Sequence, residues 1–349
     1  MGTERSRLRS ASPPICGRGE GPSLPRVCPP GKLWHRCRPR KAIRSSIMKT
    51  PTIAKRLGFG ERVVRRSMGR MRGTKLKKKA FKGYQPTEHD VFVATFAKSG
   101  TNWMMQIAQQ ISHRGDAEFE HIHAVVPWPD AFTPGPIALR DAGPMEDSPT
   151  GLRIIKTHLE TEFVPYEEKA TYLTVLRDPK EVLVSAYYFL GGMLGVLSHV
   201  TIDDWYELAI APGGLIESWC IHAASFWDWR DRPNVLVLNF REVKRDPRRS
   251  IERVAAIMGV ELTEAQQNKL IERASIDYMN AQESQFAPPQ ALFADKSKPT
   301  LMIRRGASGG SEELLSRRQQ AGIDRVCQAE LRKIGSDIPY AGEFGLSDR

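Results

Sequence analysis

The chain has 349 residues, 40% of them apolar and 26% charged, an ordinary composition for a soluble globular protein that can bury its core without disulfides. Five scattered cysteines, at 16, 28, 37, 220 and 327, argue against a secreted disulfide scaffold and for a reducing, cytoplasmic compartment. The net charge of +12 is unevenly spread: residues 1–89 hold 24 Lys+Arg against 4 Glu, and residues 90–349 hold 28 against 36 acidic residues. The basicity therefore belongs to an N-terminal arm, and nothing points to a specific nucleic-acid partner for the mildly acidic body.

Residues 1–50 are rich in Arg, Pro, Ser and Gly without apolar periodicity, and read as a disordered basic extension. Met48 is a candidate alternative start. The segment has no apolar h-region or small-residue cleavage site and is not a signal peptide. Cys28, His35 and Cys37 lack a paired C-x2-C unit, which argues against zinc. Residues 51–88 form a basic lead-in with helical character. Ile53, Leu57, Val63, Val64, Met68, Met71 and Leu76 recur among Lys and Arg, but Gly58, Gly60, Gly69 and Gly73 interrupt any long helix. A solvated lead-in is the favoured reading; contact of this basic region with anionic surfaces is the alternative.

From Asp90 strands and helices alternate. Val91–Phe96 reads as a strand, Asn102–His113 as a helix, and Leu152–Lys156 and Tyr172–Leu176 as further strands. Asp178 is a natural N-cap and Pro179 a natural first residue for the next helix. The aromatic helix Leu215–Trp229 precedes a fourth strand, Val235–Asn239, and helices follow at about 247–258 and 263–273. This alternation predicts a parallel sheet flanked by helices, with residues 89–349 as one α/β domain. Residues 127–150, with six prolines, and residues 284–311 read as long loops. Val182 to Ile202 contains no charged residue, but its glycines and serines favour a helix leaving a buried sheet over a transmembrane span.

Open parallel sheets bind ligands beyond the C-terminal ends of their strands. Here the strand ends deliver Lys98-Ser99-Gly100-Thr101, Lys156-Thr157-His158, Arg177, and Phe240 with Arg241. A cationic rim bearing one imidazole suits a substrate with several phosphates or sulfates. The loop at 97–103 can cradle an oxyanion with its backbone N–H groups. It is not a Walker A loop, because its lysine precedes the glycine. No Asp/Glu/His cluster has metal-ligand spacing, and no metal is expected.

Four stretches resemble the sulfotransferases that use 3′-phosphoadenylyl sulfate (PAPS). Thr95-Phe96-Ala97-Lys98-Ser99-Gly100-Thr101-Asn102-Trp103 is similar to the family's 5′-phosphosulfate loop, and Ile155-Lys156-Thr157-His158-Leu159 to its K-T-H element. Thr174–Ser185 resembles the 3′-phosphate element, with Arg177 and Ser185 as the binding pair. Ile303-Arg304-Arg305-Gly306-Ala307-Ser308-Gly309 resembles the loop that closes over the same phosphate. Weaker similarity covers Asn234–Pro247. The resemblance implies a P-loop-like nucleotide-binding architecture and a soluble, cytosolic-type enzyme. His158 is then the catalytic base, aided by Lys98 and Lys156. The nucleotide is held by Lys98, Ser99, Gly100, Thr101, Asn102, Trp103, Arg177, Ser185, Phe240, Arg304, Arg305 and Gly306. In this reading Trp103 packs on the adenine or belongs to the core.

The sequence departs from the family at Ala97, Asn102, Phe240 (a tyrosine in the family) and Ala274-Ser275-Ile276. The family's dimerisation motif is not recognisable in 312–321, so a dimer is possible but unsupported. Two other readings are a nucleotide-dependent kinase-like enzyme and a basic-arm RNA- or membrane-binding protein with an inactive body. Trp128, Phe132, Tyr188, Phe189, Met193 and Leu197 suggest an apolar pocket for a small-molecule acceptor.

Overall fold

In the computed structural model the described residues are 58–71, 73–131, 135–195, 197–287 and 310–347. The expected disordered extension, Phe132, and the loop carrying Arg304, Arg305 and Gly306 lie outside them. In chain order the elements are α1 (Phe59–Met71), α2 (Thr74–Ala80), β1 (Asp90–Ala94), α3 (Thr101–Ser112), β2 (Arg153–Thr157), β3 (Thr171–Leu176), α4 (Pro179–Met193), α5 (Ile202–Ile210), α6 (Leu215–Trp227), β4 (Val235–Asn239), α7 (Phe240–Arg245), α8 (Pro247–Ile257), α9 (Glu264–Arg273), α10 (Ile276–Ala281), α11 (Arg317–Lys333) and α12 (Tyr340–Phe344).

The four strands pair in parallel in the order β2-β1-β3-β4. Alternation sends Val91 and Val93 to one face, where they meet Met104, Ile107 and Ile111 of α3 and Val254 of α8. Phe92 and Ala94 face the other side with Tyr172, Phe81 and Tyr84. Both faces are therefore apolar, as a helix-covered parallel sheet requires. A second core gathers α4, α5, α6 and α11 around Trp205 and Trp219. The charge-free run from Val182 is explained by it: Val182, Leu183 and Val184 of α4 are buried there. Among the described residues no helix is long and apolar enough to cross a membrane.

The lead-in differs from the favoured expectation. Gly73 does divide it, as the N-cap of α2, but its folded part is not a solvated appendage. Val64 of α1 is buried among Val200 and Trp205. Lys77 of α2 forms an ion pair with Glu160 at 2.5 Å, both side chains being largely covered. Just beyond α2, the Asp90 carboxylate accepts from Tyr84 Oη and Thr87 N at 2.7 Å each and pairs with Arg153 Nε at 2.7 Å. Charged groups buried at the start of the sheet thus hold the lead-in to β1 and β2.

β2 lies at an edge of the sheet. Its outer side is covered by the Pro-rich segment: Lys156 N donates to the Pro127 carbonyl at 2.9 Å. Arg153 holds the same segment through the Leu139 and Asp141 carbonyls.

Candidate active site

The loop from β1 to α3 is built around backbone conformations that most residues avoid. Lys98 has φ 67° and Gly100 φ 94°. Lys98 therefore carries side-chain function at a position where a left-handed conformation is disfavoured. Gly100 has a second constraint, because a Cβ there would come within 3.0 Å of the Phe240 ring. Gly100 is also the N-cap residue of α3, and it offers no side chain to cap the helix. The first-turn N–H groups of α3 consequently face the loop, where an anion satisfies them best. Ser99 is fully buried, and its hydroxyl has no partner among the described residues. Thr101 Oγ1 is 2.6 Å from Thr95 Oγ1, which fixes the loop to the strand end.

Arg177 directly follows β3 and contacts this loop. It donates from Nη1 to the Lys98 carbonyl at 2.9 Å and from Nε to Glu181 at 3.1 Å. Its guanidinium stacks 4.5 Å from the Phe240 ring centroid. Phe240 opens α7 directly after β4 and meets Trp103 edge-on at 5.6 Å. The Trp103 indole N–H donates to the Ala274 carbonyl at 2.8 Å. The aromatic pair therefore joins the loop to the 274–276 segment, and Ser275 there caps α10. Asn102 donates to the Phe286 carbonyl at 3.3 Å. Ser185 is on α4, half-buried.

At the end of β2, Lys156 is 4% exposed. Its ammonium lies 3.4 Å from the Trp128 ring centroid and 3.4 Å from His123 Nε2. His158 follows the strand rather than continuing it. Its backbone N–H donates to Asp130 at 3.0 Å, and its Nδ1 lies 2.7 Å from the Thr95 carbonyl. A carbonyl only accepts, so Nδ1 carries the proton and Nε2 keeps its lone pair. Lys98 extends its ammonium over Phe189 at 4.0 Å.

These groups share one electrostatic field. Burial, with a smaller contribution from Arg177, brings Lys98 down to about 7. Burial also brings Lys156 down to about 7, with Asp130 raising it and Lys98 lowering it. Burial holds His158 well below its ordinary value, and Lys156 adds to the effect. Burial raises Asp130 against the pull of the His158 N–H and Lys156. His123 falls to about 3 by burial and the nearby Lys156. The site thus holds a neutral imidazole with an available nitrogen beside the reluctantly charged Lys156, which in turn feels Lys98, an environment that a multiply charged anion relieves.

Sequence reasoning missed His123 and Asp130. Both precede or lie within the Pro-rich segment, and only the fold carries them to β2. Among the described residues no group of three or more His, Cys, Asp or Glu is placed to hold a metal ion.

A family model described as "Sulfotransferase domain" matches residues 88–335. The chain belongs to the sulfotransferase family. It is an enzyme that transfers sulfuryl groups, and the kinase-like reading is set aside. Human Sulfotransferase 1C2 is 27% identical over 272 residues, covering 75% of this chain and 88% of that protein. Human Sulfotransferase 2A1 is 26% identical over 259 residues, covering 72% and 87%. The fold is similar to that of retinol dehydratase in complex with androsterone and the inactive cofactor PAP (TM-score 0.61, 20% identity, 76% of this chain and 88% of that one). It is also similar to mouse sulfotransferase SULT7A1 complexed with PAP (TM-score 0.56, 23% identity, 77% and 92%).

Proposed function

We propose that this sulfotransferase uses PAPS as donor and a hydroxyl or amine of a small, largely apolar molecule as acceptor. The observation that carries the reading is the His158 imidazole, whose Nδ1 is committed to the Thr95 carbonyl, 2.7 Å away. That contact orients the ring and reserves Nε2 to take the acceptor proton. Burial keeps the imidazole neutral at ordinary pH, so it stays competent as a base.

The donor supplies an activated sulfuryl group on a phosphate–sulfate anhydride. The residues present suit it. The orphaned Ser99 hydroxyl, the Gly100 turn and the first N–H groups of α3 form a cradle for oxyanions. Lys98 stabilises negative charge developing on the leaving phosphate side. Lys156 binds oxyanion oxygens near the transfer point. Arg177 and Ser185 hold the 3′-phosphate, joined by Arg304, Arg305 and Gly306 from outside the described residues. Asn102, Trp103 and Phe240 border the nucleotide, with Phe240 lacking the hydroxyl of the family's tyrosine.

Tyr188, Phe189 and Met193 are half-buried apolar side chains beside the α4 core, and they support an apolar acceptor. Retinol dehydratase, with its bound androsterone, has a similar fold. The free, buried Cys220 and Cys327 suit action in the reducing cytoplasm. The test is thermal stabilisation of the full chain by adenosine 3′,5′-bisphosphate (PAP) compared with ATP and AMP, followed by transfer from labelled PAPS to 2-naphthol. Preferential stabilisation by PAP together with labelled product supports the reading. Equal response to AMP, or no product, overturns it.

A further inference from the structure

His222 lies in the middle of α6 and is 1% exposed. Among the described residues no group hydrogen-bonds either of its ring nitrogens. His89, His113, His121, His123 and His158 each set a ring nitrogen against a backbone carbonyl, and His199 leaves only Nδ1 buried without a partner, whereas His222 leaves both nitrogens so. A buried polar atom without a partner is uncommon and disfavours the folded state, so it calls for an explanation.

Its position supplies one. The imidazole meets Phe96 edge-on, with centroids 5.8 Å apart, and rests against Phe226 at 5.0 Å. Phe96 directly follows Thr95, whose carbonyl holds the His158 ring. One turn along α6, the Ser225 hydroxyl accepts from Thr161 N at 3.3 Å, in the segment just after His158. The helix carrying His222 is therefore fixed to both chain segments that place the base. Phe96 also packs against the same core as Tyr188, Phe189 and Met193, the side chains assigned above to the acceptor. His222 is thus a polar group set among apolar side chains. Burial brings its imidazole to about 3, and nearby Lys77 lowers it as well. It is thus neutral and able to donate from one nitrogen and accept at the other.

We propose that His222 is a specificity-determining residue that hydrogen-bonds a second polar group of the acceptor, remote from the reacting hydroxyl. This rests on the sulfotransferase site proposed above. The favoured acceptors are amphipathic diols or hydroxyketones with an apolar frame. Apolar monools fit against the same side chains but leave the imidazole without a partner. Sites built to bond a polar substituent discriminate against analogues that lack it.

The experiment compares kcat/KM for 2-naphthol with those for the dihydroxynaphthalene isomers, using full-length wild type, His222→Phe, His222→Leu and His222→Gln. PAP affinity and Tm are measured alongside. Wild type is expected to prefer at least one diol isomer. His222→Phe and His222→Leu should lose that preference by up to about tenfold, the equivalent of one hydrogen bond. PAP affinity should stay unchanged, His222→Gln should restore part of the preference, and Tm should rise in the apolar variants because the orphaned polar group is gone. A purely structural histidine gives the opposite pattern: unchanged acceptor ratios with a lower Tm, or loss of fold in both apolar variants. Either result overturns the proposal, as does a wild type that shows no diol preference. A wild type that binds no PAP and sulfates neither acceptor class overturns the underlying reading instead, and the proposal with it.

Discussion

Two sets of cations in this molecule make opposite use of the same side chains. In the lead-in, Lys75, Lys78, Lys79, Arg62, Arg65 and Arg66 are exposed. They give the chain its basic character but little of its structure, since exposed charges interact weakly through water and salt. At the strand ends, the charged groups of Lys98, Lys156 and Arg177 are largely enclosed, each against an aromatic ring. Those three contribute little to the net charge, yet they shape the site, because charge in a low-dielectric setting acts strongly. Lys77 belongs by sequence to the first set and by environment to the second.

The widest gap between the two sets should appear in catalysis. His158→Ala is expected to reduce single-turnover transfer by at least ~10²–10⁴-fold, the usual contribution of a general base. Its PAP affinity, measured by isothermal titration, should stay near wild type. An active variant, or a folded one that has lost PAP binding, removes His158 from the base role. Arg177→Ala should weaken PAP binding about 10–100-fold, the loss of one charge-assisted contact. Lys78→Ala, a cation of the exposed set, should change it less than twofold, within the small effect typical of surface substitutions. Equal effects would erase the distinction between the sets.

Proton uptake sharpens the comparison. Lys98 and Lys156 titrate at about 7 in the folded protein, below their ordinary 10.5. Between those values the unfolded chain binds more protons, so the contribution of these groups to stability rises as pH increases from 7 towards 10. Anion binding has the opposite sign, because the lysines must recharge to hold phosphate. PAP affinity should therefore fall above pH 7, by at most roughly tenfold per pH unit for each lysine that recharges. Calorimetry in buffers of different ionisation enthalpy should detect protons taken up on binding at pH 8. An affinity that is flat from pH 7 to 9 would show that these lysines are already charged.

The smallest effects concern the lead-in. Lys77→Ala leaves the covered Glu160 carboxylate without its cation and should cost roughly 1–3 kcal/mol of stability. Lys78→Ala should stay within ~0.5 kcal/mol. Denaturant titration measures both. Removing residues 1–46 should leave turnover with a soluble acceptor intact. Removing 1–88 should not, because Val64, Lys77 and Tyr84 would go with it.

Much of the sheet was legible because each strand is a short apolar run between turn-forming residues. The apolar run Val235–Asn239 coincides with β4, whereas β1 begins one residue before the expected Val91 and ends at Ala94, where the loop takes over. The rim residues were legible because parallel strands bring their C-terminal ends together whatever the intervening length. The burial of Val64 was not, since it depends on α5, far along the chain, and glycine-interrupted basic sequence looks solvated. His123 and Asp130 had no local signal, because their partners come from β2. Helix α11 does carry a local signal, the Ser316/Gln319 capping box, in a stretch whose high charge masks the apolar periodicity.

The covered edge of β2 has a further consequence. An exposed edge strand is a template on which another chain can pair. Here the Pro127 carbonyl occupies the outward N–H of Lys156, and the Asp130 carboxylate occupies the N–H of His158. The segment that shields the edge also seats the base and stacks Trp128 over Lys156. Peeling it away would undo both at once, releasing the catalytic strand end and opening a sticky edge in a single local event. Inactivation and aggregation should then share one onset on heating, with the amides of Lys156 and His158 exchanging hydrogen together ahead of those in β1 and β3.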